Sequence, residues 1–80
     1  MPKIFEQDGY RFFFYSNERN EPAHIHVWAQ RGVAKFWLRP VSLASSRGLR
    51  SYELSELQRI VVRNSALFEE KWNEHASRKV

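Results

Sequence analysis

The sequence predicts an α+β domain in which an antiparallel β-meander of three to five strands precedes one long C-terminal amphipathic helix packed on the apolar face. Residues 3–44 consist of short apolar and aromatic runs separated by turn residues, which is typical of strands. From Ser51 onward the apolar residues recur at steps of three and four, the spacing of one helix face. The 80 residues suffice for one core, so we expect a single domain with its helix at about 52–75.

The first two predicted strands flank a tight turn. Residues 3–6 form a short edge strand, and Gln7-Asp8-Gly9 is a turn because Asp and Gly accept turn backbone angles readily. Residues 10–15 are an aromatic, β-favouring run that is too short for a helix. Residues 16–23 are polar and contain Pro22, which cannot donate to a sheet ladder, so we expect a loop there.

The next two runs indicate a β-hairpin. Residues 24–30 and 33–39 are separated by Arg31-Gly32, a spacing that matches a tight connection between antiparallel strands. Pro40 then ends or bends the second run. We expect residues 41–44 to continue as a short edge segment and residues 45–50 to form a second loop.

The C-terminal third predicts the helix. Ser51 is its expected N-cap, and Glu53 and Glu56 suit the positive end of the helix dipole. At about 24 residues the helix would be about 36 Å long, so we expect it to bend near Asn64-Ser65 or to project beyond the sheet. The apolar stripe consists of Leu54, Leu57, Ile60, Val61, Leu67, Phe68 and Trp72.

The hairpin register assigns each side chain to one face of the sheet. A loop centred on Arg31-Gly32 has an apolar set of pairs: Ile25 with Leu38, Val27 with Phe36, and Ala29 with Ala34. The other set pairs His26 with Trp37, Trp28 with Lys35, and His24 with Arg39. The apolar set is the expected core face under the helix. One of the two alternating sets of the aromatic run extends the second face: Arg11, Phe13 and Tyr15, or Tyr10, Phe12 and Phe14.

This second face has the composition of a binding surface. The chain carries thirteen Lys and Arg against nine Asp and Glu, a net charge of +4, and nine of the thirteen are Arg, which suits bidentate contacts to phosphate or carboxylate. One interpretation is a platform on which the bases of RNA or DNA stack while cations contact phosphates. The other is an aromatic face covered by a homodimer mate or a small partner protein. The candidate binding residues are Arg11, Trp28, Lys35, Trp37 and Arg39.

The two histidines at strand spacing allow three interpretations. His24 and His26 point to the same side of the strand, so both imidazoles can reach one metal ion, with Glu21, Glu18 or His75 as a third ligand. They can instead act as catalytic general acid and base in RNA cleavage, because an unperturbed imidazole titrates near pH ~6.5. The third interpretation is a structural role in hydrogen bonding to the preceding loop or in stacking.

Several classes of protein are excluded by what the sequence lacks. There is no cysteine, so disulfides and Cys-based zinc sites are absent. No apolar run approaches the roughly 20 residues that span a bilayer, and no secretory signal is visible, so we expect a cytoplasmic protein without a membrane partner. Motifs for nucleotide loops, zinc proteases and Ser or Cys nucleophiles are also missing, and no cofactor is predicted.

One set of segments extends over most of the chain: Met1-Pro2-Lys3-Ile4, residues 14–18 continuing to residues 21–27, residues 34–38, Pro40-Val41, Gly48 and Glu53-Leu54. Together these segments resemble the bacterial domain of unknown function 4160 family. The likeness covers nearly the whole chain, and Pro22, His24 and His26 correspond to its signature, with Ala23 where the family usually has a second Pro.

The resemblance implies a small single-domain protein encoded beside another short protein, as in toxin–antitoxin pairs. The strands precede the helix, whereas the ribosome-dependent ribonuclease toxins begin with a helix, so their mechanism is not carried over. We therefore expect a component of a two-gene module that binds a small partner protein and RNA. The alternatives are a ribonuclease that uses His24 and His26, and a metal-binding regulatory module, so enzymatic activity stays open.

Overall fold

The predicted meander has five strands, the upper end of the expected range. The computed structural model describes residues 3–15 and 20–77. The strands are β1 (Lys3–Gln7), β2 (Tyr10–Phe13), β3 (His24–Trp28), β4 (Val33–Leu38) and β5 (Val41–Arg47), followed by the helices α1 (Ser51–Arg63) and α2 (Ser65–Ser77). Each strand pairs antiparallel with the next along the chain, in the order β1-β2-β3-β4-β5. The α+β class and the order of elements are confirmed.

A two-residue turn joins β1 to β2 where the sequence predicts it. Gln7 pairs with Tyr10, and the residues between them, Asp8 and Gly9, have φ angles of 54° and 84°. Two consecutive positive φ angles are the mark of a type I′ turn, whose twist matches that of the flanking strands. The Asp-Gly dipeptide is therefore the local cause of the first hairpin.

The register predicted for the second hairpin is wrong by two residues. The Ala29 N–H donates to the Gly32 carbonyl at 2.9 Å, so Gln30 and Arg31 form the turn. The observed partners are His24 with Trp37, His26 with Lys35, and Trp28 with Val33. Because the shift is even, the side chains within β3 and β4 remain on their predicted faces of the sheet.

Residue 32 lies outside the two-residue turn, and close packing of two backbone segments explains why it is a glycine. A Cβ on Gly32 would overlap the carbonyl oxygen of Arg47, and a Cβ on Gly48, whose φ is 84°, would lie 2.5 Å from the carbonyl oxygen of Arg31. Only residues without a side chain permit this approach. It holds the β3–β4 turn against the end of β5, and β5 extends through Arg47, so the loop predicted for residues 45–50 is wrong over its first three residues.

The single long helix predicted from the sequence is wrong, because the helical segment divides at Asn64. There the side-chain Nδ2 and the backbone N–H both donate to the Ile60 carbonyl, at 2.9 and 3.0 Å. A side chain that shares a carbonyl with the helix ladder interrupts regular geometry. The division falls at Asn64-Ser65, the position at which a bend is expected from the sequence.

The helix also begins with a different cap. Arg50, not Ser51, is the N-cap residue, and its backbone N–H donates to Glu53 Oε1 at 2.8 Å. This contact satisfies one of the donors that the first turn of a helix leaves unpaired.

One hydrophobic core lies between the sheet and the two helices. From the sheet and the residues that border it, Tyr10, Phe12, Phe14, Ala23, Ile25, Val27, Ala34, Phe36 and Leu38 are buried in it. From the helices, Leu57, Ile60, Val61, Phe68 and Trp72 are buried, with Leu54 and Leu67 packed at the margin. Phe12 stacks on Phe68 at 5.3 Å between ring centroids. The predicted helix stripe is thus confirmed. Burial of each large apolar side chain, such as Leu, Ile, Val or Phe, contributes about 1.5–3 kcal/mol to stability.

Tyr10 links the sheet to α1 through a polar contact at the edge of this core. Its hydroxyl donates to Glu56 Oε1 at 3.2 Å. Burial, followed by the charge of Glu56, raises the pKa of Tyr10 above its ordinary value of 10.0. The folded protein therefore holds this proton to a higher pH than the unfolded chain does.

Tyr10 should make folding stability depend on pH in the alkaline range. Its contribution is fully present below pH ~10, where both states are protonated, and is lost as the pH rises through the raised pKa of the folded state. Urea unfolding of wild-type and Tyr10→Phe proteins should differ by about 1 kcal/mol at neutral pH. The difference should shrink above pH ~10. A difference that stays constant or grows with pH would contradict the assignment.

Candidate nucleic-acid interface

The sheet presents one face away from the helices, and the strand register orders its side chains into two rows. We call this surface the open face. The first row runs across four strands as Arg11, Trp28, Val33 and Arg47, which are successive Cα partners. The second row runs in the same way as Phe13, His26, Lys35 and Ser45. Because neighbouring strands lie about 4.8 Å apart, the members of each row are side-by-side neighbours.

The first row centres on an exposed tryptophan. Trp28 is 54% exposed, and the guanidinium carbon of Arg11 lies 5.7 Å from its ring centroid. Arg47, at the opposite end of the row, is also exposed. An aromatic ring that is open to solvent and flanked by two cations can stack on a flat ligand while the cations contact anionic groups.

The second row borders a cleft of about 350 Å³. His26 stacks on Phe13 at 5.8 Å and meets the edge of the Tyr15 ring at 4.4 Å. Lys35, Ser45 and Arg47 line the other side of the cleft. The cleft therefore combines aromatic walls with cationic and hydroxyl groups.

An ion pair with the preceding loop anchors Lys35. Its Nζ lies 2.7 Å from Glu21 Oε1 and 4.7 Å from the Trp37 ring centroid. Glu21 Oε1 also lies 3.8 Å from His24 Nδ1. The carboxylate offsets the charge of Lys35. The positive charge of the two rows therefore comes mainly from Arg11, which has Glu6 as its Cα partner on β1, and from Arg47.

His24 is buried, unlike its neighbour His26. It has no exposed surface, and its Nδ1 donates to the Pro22 carbonyl at 2.8 Å. Trp72 of α2 covers it at 4.8 Å between ring centroids, and Trp37 meets it edge-on at 5.8 Å. A dissolved substrate reaches His26 but not His24, so the two imidazoles predicted to act as an acid–base pair occupy different environments.

Arg39 does not share the face on which the sequence places it. β4 ends at Leu38, and the chain turns toward β5 at Arg39-Pro40. The Arg39 guanidinium instead bonds α2, with Nε 3.0 Å from Glu69 Oε1 and one terminal nitrogen 3.5 Å from Asn73 Oδ1. Arg39 thus ties the sheet to α2.

Two of the three residues predicted as a third metal ligand, Glu21 and His75, lie within the described residues. Glu21 lies near His24 but pairs with Lys35, and His75 Nε2 donates to the Tyr15 carbonyl at 3.1 Å. Glu18 falls outside the described residues. Within residues 3–15 and 20–77, no three His, Asp or Glu side chains are grouped so that they could hold a metal ion.

Arg47 and Ser45 belong to the site, but sequence reasoning assigns them to a loop. The strand predicted from the sequence ends too early, because the run after Leu43 is rich in serine and serine is common in turns. In the structure β5 continues through both residues. For β2 the ambiguity is resolved: Arg11 and Phe13 lie on the open face, and Tyr10, Phe12 and Phe14 lie in the core.

The fold and this surface define a small α+β domain with an aromatic and cationic sheet face. The chain belongs to the family described as Domain of unknown function (DUF4160), which matches residues 9–73. The resemblance stated from the sequence is therefore confirmed. Neither curated proteins nor solved structures include a match to the chain. No helix within the described ranges is long and apolar enough to cross a membrane.

The two histidines should differ sharply in their effect on stability. His24→Ala should lower the free energy of unfolding by about 3 kcal/mol, because it leaves a cavity under Trp72 and removes the donor to Pro22. His26→Ala should cost about 1 kcal/mol, since this ring lies at the margin of a cleft. Urea denaturation of both variants measures the difference. Equal losses, or a greater loss for His26→Ala, would contradict the buried structural role of His24.

Proposed function

We propose that this protein binds single-stranded RNA across the open face of its sheet. The row Arg11–Trp28–Val33–Arg47 carries the proposal, because it sets one exposed indole between two arginines. Unpaired bases stack on aromatic side chains, and this stacking contributes about 1–3 kcal/mol per base. Arginines at both ends of the row can contact the phosphates on either side of the stacked base.

The cleft beside this row supports recognition of RNA. Ser45 and Tyr15 carry hydroxyl groups that can bond base edges or the 2′-hydroxyl, and the aromatic walls can accommodate a second base. The net charge of +4 favours a polyanionic ligand over a small acidic molecule, which a single cationic side chain could bind. In the two-gene setting that the family resemblance suggests, a small partner protein would regulate access to this face.

Substitutions in the first row should weaken RNA binding. Trp28→Ala should raise the dissociation constant for a short labelled oligouridine by about 5- to 150-fold, since one stacked base is lost. Arg47→Ala should weaken binding and reduce the slope of log K against log salt by about 0.7, the value for one phosphate contact to a single strand. Fluorescence anisotropy across a salt series gives both quantities.

Arg59→Ala, which removes a cation from the outer surface of α1, is the matched control for Arg47→Ala. It should leave affinity nearly unchanged, because Arg59 lies on the helix layer, away from the open face. Equal losses of RNA affinity in the two variants would mean that binding depends on the net charge of the protein and not on the position of Arg47. Absence of binding by the wild-type protein at low salt would refute the proposed function.

Cleavage of the bound strand is a second candidate function, favoured by the position of His26 in the cleft beside Tyr15 and Lys35. An imidazole can take the proton of a 2′-hydroxyl, whose oxygen then forms a bond to the adjacent phosphorus while the bond from phosphorus to the 5′-oxygen of the next nucleotide breaks. A neighbouring proton donor can protonate that leaving oxygen. His26→Ala should abolish cleavage of labelled RNA while retaining binding within about tenfold. Intact RNA after incubation with wild-type protein, or cleavage that survives in His26→Ala, would eliminate this candidate.

A further inference from the structure

The two helices expose one continuous stripe on the side opposite the core. We call it the outward stripe; its members recur at steps of three and four and are all exposed: Tyr52, Ser55, Arg59, Val62, Arg63, Ala66, Glu70, Asn73 and Glu74. The i→i−4 hydrogen bonds continue through the break, from Asn64 N–H to Ile60 and from Phe68 N–H to Asn64. The stripe therefore keeps its helical phase from α1 into α2.

The outward stripe is divided by charge. Its α1 half carries Arg59 and Arg63, and no carboxylate within the described residues forms an ion pair with either. Its α2 half carries Glu70 and Glu74, and Lys71 Nζ lies 3.8 Å from Glu74 Oε1. Each half borders a shallow groove, of about 660 Å³ along α1 and about 690 Å³ along α2.

We propose that a second copy of this chain packs on the outward stripe, with the helices antiparallel. A two-fold axis near Ala66 brings Arg63 opposite the partner's Glu70 and Arg59 opposite the partner's Glu74. The two-fold repeats both contacts, so the interface is self-complementary and closes as a dimer. A parallel arrangement would oppose like charges and is disfavoured.

The centre of the stripe suits close helix packing. Ala66 has a small side chain that lets the two helices approach at the axis, and Val62, 54% exposed, provides an apolar contact on either side of it. Most of the remaining contacts are charged and lie at the rim, which predicts a weak dimer that salt dissociates.

The outward stripe and the open face do not overlap. The first row of the open face continues on β1 to Glu6, the Cα partner of Arg11. Because the outward stripe lies on the helix layer, the dimer leaves both open faces accessible. This proposal is independent of RNA binding.

Charge reversal tests the antiparallel arrangement. Sedimentation velocity at low salt should show wild-type protein shifting from monomer to dimer as its concentration rises toward ~100 µM, and returning to monomer at high salt. Arg59→Glu/Arg63→Glu and Glu70→Arg/Glu74→Arg should each raise the dimer dissociation constant by at least about tenfold, because each opposes like charges. Mixing the two double variants should restore a dimer, since each supplies the complement of the other.

Arg11→Glu, a charge reversal on the open face, is the control and should leave dimerisation unchanged. Circular dichroism checks that each variant is folded, and the salt dependence of the wild-type protein tests the interface without any substitution. A wild-type protein that stays monomeric at low salt up to ~1 mM would overturn the proposal. So would a dimer that tolerates both charge reversals, or a mixture of variants that fails to associate.

Discussion

The backbone contact between Gly32 and Arg47–Gly48 is the constraint on which the candidate site depends. It requires two residues without side chains to face each other, one after the β3–β4 turn and one after β5. This contact holds the turn at Gln30-Arg31, and it carries β5 far enough to bring Arg47 into the row of Trp28. Without that approach, the open face would lose one of the cations that give it a polyanion-binding character.

The sequence predicts the faces of the sheet more reliably than the pairing of its strands. Apolar alternation identifies Ile25, Val27, Ala29, Ala34, Phe36 and Leu38 as the core set. Five of the six are buried, and Ala29 is half-buried at the margin of the core. A register error of two residues leaves that division intact, because side chains alternate with a period of two. The cross-strand partner of each residue depends on which residues form the turn. The Arg31-Gly32 dipeptide predicts a turn, but the sequence does not show that Gly32 instead packs against the backbone of Arg47.

Strand alternation and helix periodicity do not determine the positions of Arg39 and His24 or the division of the helix. Arg39 follows the alternation of β4 but leaves the sheet because Glu69 and Asn73 of α2 provide partners. The helix divides because the Asn64 side chain competes for the Ile60 carbonyl, a contact that periodicity detects only as a gap in the apolar stripe. His24 and His26 share one face, yet Trp72 covers the first and leaves the second beside a cleft. For Arg39 and His24 a residue of α2 decides the outcome, whereas the helix divides through a contact between residues only four positions apart.

The charges of this protein are segregated by layer, and their positions say more about possible partners than the net charge does. A net charge of +4 describes a mildly basic protein, whereas the structure places Arg11 and Arg47 on the open face and Arg59 and Arg63 on the outside of α1. The acidic residues Glu69, Glu70 and Glu74 gather on α2. Opposite charges in adjacent halves of one helical stripe attract a like molecule, and cations spread around an exposed indole attract a polyanion. The two surfaces lie on opposite layers of the fold, so each can be occupied without displacing the other.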